Sequence, residues 1–132
     1  MNMLSDYLFV YGTLMQGFNN PFAKKLHESA YFEDYGNFAG VLYAVSWYPG
    51  ALYDPDSSGK VYGEVYRMKN ATELISVLDE YEDVLPDETE SLYIRRTIPV
   101  YTNQGQIHCQ TYLYNQPVTT LQLIASGDFR NV

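Results

Sequence analysis

Glu82 is the residue whose position most needs a chemical explanation. Asn70 to Asp83 carries a helical pattern, with Asn70 placed as N-cap and Glu73 three residues on as its capping-box partner. Ala71, Leu74, Ile75, Leu78 and Tyr81 share one face of this helix, and Thr72, Glu73, Ser76, Asp79, Glu80 and Asp83 share the other. Glu82 lies seven positions after Ile75 and four after Leu78. If the helix reaches it, it falls on the apolar stripe, roughly 40° from the centre. A carboxylate aimed at a core must be paired, strongly hydrogen-bonded or kept protonated by a raised pKa, and the last condition is what a general acid and base requires. If the helix stops near Leu78, Glu82 is one more solvated member of the acidic run DEYEDVLPDETE.

A second candidate is the turn in YLFVYGTLMQG, residues 7–17. Tyr7 to Tyr11 has the β-branched and aromatic composition of a buried strand, and Gly12 ends it. With no side chain at Gly12, the amides of Gly12, Thr13 and Leu14 can converge on an anion such as a carboxylate; the alternative is a plain strand-to-loop turn. Glu64, on the Tyr62 and Tyr66 face of a strand, is placed either to orient a bound amine or to pair with an arginine of a neighbouring strand. Tyr112 and Tyr114 share one face of a later strand.

Other chemistries find no support. There are two histidines and one cysteine, and no G-x-S-x-G, G-x-G-x-x-G or G-x-x-x-x-G-K-[ST] occurs. His108 and Cys109 are strand neighbours and point to opposite faces, so they share neither a metal nor a reaction, and His27 stands alone on a helix. No cofactor is expected. The formal charge of −8, with no basic stripe, disfavours nucleic acid and anionic membrane surfaces. The lone cysteine allows no intrachain disulfide, the start MNMLSD has no leader pattern, and no apolar run approaches a membrane span, so a cytoplasmic protein is expected.

The 132 residues suit one domain, residues 1–132, whose 46% hydrophobic content supports a single core. Fourteen tyrosines are an excess that belongs in strands and pocket walls. Asn19-Asn20-Pro21 predicts a helix start, with the helix over about 20–29. Residues 31–53 predict two or three short strands bent at Gly36, Gly40 and Pro49-Gly50, and DPDSSG at 54–59 a surface hairpin tip. A strand follows at 61–68, then the helix at 70–83. Residues 91–101 and 106–114 form a hairpin through Asn103-Gln104-Gly105, and a last helix is expected over 119–126.

Taken in order, VYGTL at 10–14, YPGAL at 48–52, VYGEVY at 61–66, LDEYE at 78–82, YIRR at 93–96 and SGDFR at 126–130 resemble the γ-glutamyl cyclotransferase-like family nearly end to end, nearest its small γ-glutamylamine cyclotransferases. The resemblance implies an α+β fold, a small mixed barrel-like sheet flanked by short helices. It implies a small γ-glutamyl compound as substrate, with Tyr11, Gly12, Thr13 and Leu14 holding its α-carboxylate end and Tyr112 lining the pocket. It also implies Glu82 as the proton-transferring catalyst in closing the γ-glutamyl group to 5-oxoproline. A non-catalytic module binding the same ligands is the alternative. The chain departs from the family pattern after Gly17, where Phe18-Asn19-Asn20-Pro21 replaces an Asn-His pair; this concerns the acceptor side of the pocket.

Overall fold

A computed structural model describes residues 5–131. Met1–Leu4, part of the start read for a leader, and Val132 lie outside the described residues. In chain order the elements are β1 (Tyr7–Val10), α1 (Pro21–Ser29), β2 (Ala30–Ala44), β3 (Pro49–Tyr53), β4 (Lys60–Met68), α2 (Ala71–Tyr81), a 3-10 turn (Glu88–Glu90), β5 (Tyr93–Thr102), β6 (Gly105–Tyr114) and β7 (Gln122–Leu123). Five strands close a ring in the order β2, β4, β1, β6, β5, because β5 returns to β2 through Gly36↔Thr102 and Asn37↔Tyr101. The sheet is mixed: β1 runs parallel to β6 at Leu8↔Gln110, and the other ladders are antiparallel. This is the expected α+β fold with a barrel-like sheet and short helices.

Alternation along the strands builds two cores. Phe9, Phe38, Val61, Val65, Val100 and Cys109 fill the ring. Leu8, Val10 and Tyr66 turn outward against Leu26 of α1 and Leu74, Ile75 and Leu78 of α2. Leu26, Leu74 and Leu78 are fully buried, and each contributes about 1.5–3 kcal/mol by leaving water. Both helices begin as predicted. The Asn20 side chain accepts from Ala23 N at 2.8 Å, and that of Asn70 accepts from Glu73 N at 3.3 Å.

Three expectations are corrected. Residues 30–44 form one long strand, because Gly36 and Gly40 serve close approach instead of bending. A Cβ at Gly40 would lie 2.1 Å from the Leu52 carbonyl, and one at Gly36 2.8 Å from Val100 Cγ1. DPDSSG is not a hairpin tip, since β3 and β4, which it joins, both pair with β2 and not with each other. The predicted last helix is the short strand β7 between turns: pairing with Tyr43 and Ala44 at the β2 edge, together with Ile124 N bonded to Leu42 O at 2.8 Å, outweighs its weak helical pattern.

Candidate active site

Where the C-terminal ends of β1, β6 and α2 meet the starts of β3 and β5, a cavity of about 150 Å³ opens. Tyr11, Gly12, Thr13, Leu14, Glu82 and Tyr112 all line it, so the residues singled out from the sequence come together. Trp47, Tyr48, Pro49, Tyr81 and Tyr93 complete most of the wall, and no Lys, Arg or His is among the lining residues.

Glu82 reaches this wall by a route the sequence did not indicate. Helix α2 stops at Tyr81, and Glu82 is its C-cap, with φ −88° and ψ 8°. Asp83 follows in the left-handed region at φ 54°. Val84 N bonds to Asp79 O at 2.9 Å and Asp83 N to Glu80 O at 3.3 Å, the two bonds of a Schellman turn. This turn, not the helical stripe, aims the carboxylate. Among the described residues the carboxylate has neither a salt-bridge nor a hydrogen-bond partner, although the side chain keeps part of its surface open at the cavity. Burial, helped by the neighbouring Asp83 charge, pushes its pKa up to about 8. The phenols of Tyr11, Tyr81, Tyr93 and Tyr112 are also raised, chiefly by their own burial, with the nearby Glu82 charge adding to it.

The turn after β1 is held from several sides. Met15 N bonds back to Gly12 O at 3.1 Å. Asn20 Nδ2 donates to Thr13 O at 2.8 Å, His27 Nε2 donates to Leu14 O at 2.9 Å, and the Thr13 hydroxyl meets the Tyr81 hydroxyl at 2.8 Å. His27, read as solitary, therefore secures this loop. The turn's carbonyls are thus engaged, while the amides of Gly12, Thr13 and Leu14 have no acceptor among the described residues. The lack of a side chain at Gly12 matters through close packing and not through a positive φ: a Cβ there would lie 2.9 Å from Cδ and Cγ of Pro49. The Tyr11 hydroxyl is committed to the framework, donating to Tyr112 O at 2.5 Å and accepting from Ala51 N at 3.2 Å.

Tyr112 lines the cavity, but its hydroxyl donates to Asp79 Oδ1 at 2.7 Å. Asp79, expected on the solvent face, is half-buried and also takes a two-pronged pair from Arg95, at 3.0 Å to each oxygen. This network ties the last turn of α2 to β5 and β6. It joins residues distant in sequence, and the only sequence signal for it was the arginine pair in YIRR. Removing the Tyr112 hydroxyl takes a donor from a charged acceptor, so Tyr112→Phe is expected to lose about 1.5–3 kcal/mol in chemical unfolding. Tyr53, whose hydroxyl makes no hydrogen bond among the described residues, should tolerate the same change within about 0.5 kcal/mol.

Glu64 and Tyr114 lie outside the cavity lining. Tyr114 packs edge-on against Tyr93 and covers Gly50. Glu64 pairs with Arg130 of the C-terminal segment, at 3.0 Å, and not with an arginine on a neighbouring strand. Among the described residues no group of three or more His, Cys, Asp or Glu side chains is gathered for a metal, and no helix is long and apolar enough to cross a membrane.

Against known proteins, the model of the family "Gamma-glutamyl cyclotransferase, AIG2-like" matches residues 8–131. The chain is 32% identical over 122 residues to the gamma-glutamylcyclotransferase family protein YtfP of Escherichia coli, covering 92% of this chain and 94% of that one. It is 33% identical over 111 residues to the gamma-L-glutamyl-butirosin B gamma-glutamyl cyclotransferase of Niallia circulans, covering 83% and 67%. In fold it is similar to a crystal structure of an AIG2-like protein from Mus musculus, at TM-score 0.71 and 24% identity, over 94% of this chain and 88% of the other. The chain belongs to the AIG2-like gamma-glutamyl cyclotransferase family.

Proposed function

We propose that the protein is a cytoplasmic, cofactor-free γ-glutamyl cyclotransferase that converts γ-glutamyl amines to 5-oxoproline and the free amine. The observation that carries this reading is the pairing, in one cavity, of the Glu82 carboxylate with a turn of three amides, both without partners among the described residues. The amides hold the substrate α-carboxylate, and Glu82 takes a proton from the α-ammonium. The freed nitrogen attacks the side-chain amide carbon, forming the ring C–N bond. The tetrahedral intermediate then collapses: Glu82 gives its proton to the departing nitrogen, the bond to that nitrogen breaks, and the ring nitrogen releases its second ammonium proton to Glu82, from which the freed amine carries it away as an ammonium ion. Because the substrate supplies its own nucleophile, the protein's contribution is orientation and proton transfer. A negatively charged Glu82 also attracts the ammonium it must deprotonate, which a pocket serving only to bind carboxylates would gain little from.

The lining supports an amine as the leaving group. A departing amino acid would bring a second carboxylate into a cavity that contains Glu82 and Asp83 and no cationic side chain, whereas a departing amine meets no such repulsion. Trp47, the sole tryptophan and 69% exposed at the cavity wall, offers that amine an aromatic surface. The name of the Niallia circulans relative specifies a γ-glutamyl conjugate, consistent with such a substrate.

The test is to incubate the protein with γ-glutamyl compounds whose leaving groups are a monoamine, a diamine and an amino acid, and to measure 5-oxoproline. Turnover of the amine conjugates ahead of the amino-acid one is expected. Tryptophan fluorescence that responds to the compounds with no 5-oxoproline formed from any would instead indicate a binding module. Tyr112→Phe should reduce turnover more than Tyr53→Phe, because only the former loosens the end of α2 that carries Glu82.

A further inference from the structure

Two segments that mark the family resemblance, VYGEVY and SGDFR, contribute nothing to the cavity wall, yet they meet behind the turn that does. Glu64, centred in β4, is only 1% exposed. Its Oε1 accepts from the backbone amide of Gln16 at 2.8 Å and from the Tyr66 hydroxyl at 2.9 Å. Its Oε2 is an ion contact at 3.0 Å from Arg130 Nη2, without hydrogen-bond alignment. The same Arg130 nitrogen donates to the Gln16 carbonyl. One residue pair thus grips both polar groups of a single peptide residue on the loop.

The rest of the C-terminal segment supports that grip. Gly127 O accepts from Tyr62 N at 2.8 Å, fixing the segment to β4, and φ of +70° at Gly127 allows the bend. A Cβ at Gly127 would meet Lys60 O at 1.8 Å, so the backbones must be this close. Phe129 stacks on Phe18, at 5.8 Å between ring centres, just past the far end of the loop. A carboxylate this deeply buried is costly unless compensated, and its ion-pair partner among the described residues is Arg130, on a C-terminal segment that must fold back to supply it.

We propose that Glu64 and Arg130 act as a positioning clamp: by holding Gln16 they keep residues 12–16 in the conformation that presents the Gly12–Leu14 amides to a ligand. The proposal rests on the reading of that turn as the ligand cradle. Neither residue touches the substrate, so the clamp should act on binding and on local opening of the loop and not on proton transfer.

The test compares hydrogen exchange at Met15 and Gln16, the hydrogen-bonded amides of this loop, in the parent, Arg130→Met and Val100→Ala, with calorimetric titration of 5-oxoproline alongside. Val100 lies in the ring core, so its truncation lowers global stability without touching the loop. Arg130→Met should speed exchange in this loop roughly tenfold or more, through local opening, and weaken 5-oxoproline binding in proportion. Val100→Ala should leave both unchanged well below its melting temperature. If Arg130→Met does not fold, the doubly neutral Glu64→Gln with Arg130→Met removes the buried charge and serves in its place. Unchanged loop exchange in the folded variant, equal acceleration in Val100→Ala, or faster exchange with undiminished 5-oxoproline affinity would overturn the clamp. Should the parent neither form nor bind 5-oxoproline, the functional proposal fails, and the exchange comparison still decides whether Arg130 holds the loop.

Discussion

Glu82→Gln should fold and should lose ~10²–10⁴-fold or more in 5-oxoproline formation, the range for removing an acid/base group. The amide keeps the shape of the side chain and cannot exchange protons. Glu80→Gln, exposed on the last turn of α2 two residues earlier, should stay near the parent rate. The same substitution should make the protein more stable, with a characteristic pH dependence. Glu82 has a folded pKa raised to about 8 from 4.5. Below 4.5 both states hold the proton. Between 4.5 and about 8 the unfolded chain releases it while the folded chain retains it, so stability falls as pH rises through this window and levels off above it. Glutamine does not titrate and has no such dependence. The advantage of Glu82→Gln in thermal unfolding should therefore be small at pH 4.5, grow steadily and be largest above pH 8. Gain of stability with loss of activity is the pattern expected when a strained functional residue is made inert. Loss of stability across the whole pH range would show that the carboxylate has a structural partner instead.

Gly12→Val should be the second most damaging change. Valine's Cβ alone would sit 2.9 Å from two atoms of Pro49, the residue at which β3 begins. Either the turn or the start of β3 must shift, and both are cavity walls. Calorimetry should show 5-oxoproline binding weakened at least roughly tenfold, since amides displaced by an ångström no longer converge on one anion. Relief by a second change, Pro49→Ala, would locate the damage in that contact. Unchanged affinity in folded Gly12→Val would remove the turn from the binding site.

What the sequence revealed was the part governed by local rules. The caps at Asn20 and Asn70, the apolar stripe of α2 and the β5–β6 hairpin depend on residues within one turn or hairpin of each other, and they appear as read except that Gly105, expected in the turn, already pairs with Thr102 as the first residue of β6. The clustering of Tyr11–Leu14 with Glu82 and Tyr112 was reached through the ordered motifs of the family resemblance, since no local pattern brings the end of β1 to the end of α2. Non-local geometry was not legible. Closure of the ring depends on two residue pairs between β2 and β5, and no periodicity signals them. Gly36 and Gly40 looked like bends because a glycine that admits a neighbouring strand and one that breaks a strand are spelled alike. Asp79 looked solvated because its partners, Arg95 and Tyr112, arrive from strands well downstream. For Glu82 the helical stripe indicates a desolvated carboxylate, and the structure desolvates it by another route, the Schellman turn at Asp83 delivering it after the helix has ended. An aspartate at φ 54°, where glycine is usual, gives no sign of itself in the sequence.

The most direct test of the account is the pH dependence of kcat/KM for 5-oxoproline formation from a γ-glutamyl amine. This quantity reports ionisation in the free protein, so with Glu82 as the base it should fall tenfold per unit on the acid side of about pH 8. The corresponding limb of kcat should lie at lower pH, because the bound ammonium favours the ionised carboxylate. A kcat/KM profile that stays flat from pH 8 down to the ordinary carboxylate range near 4.5 would contradict the account, since the proton carrier would then not be a desolvated Glu82.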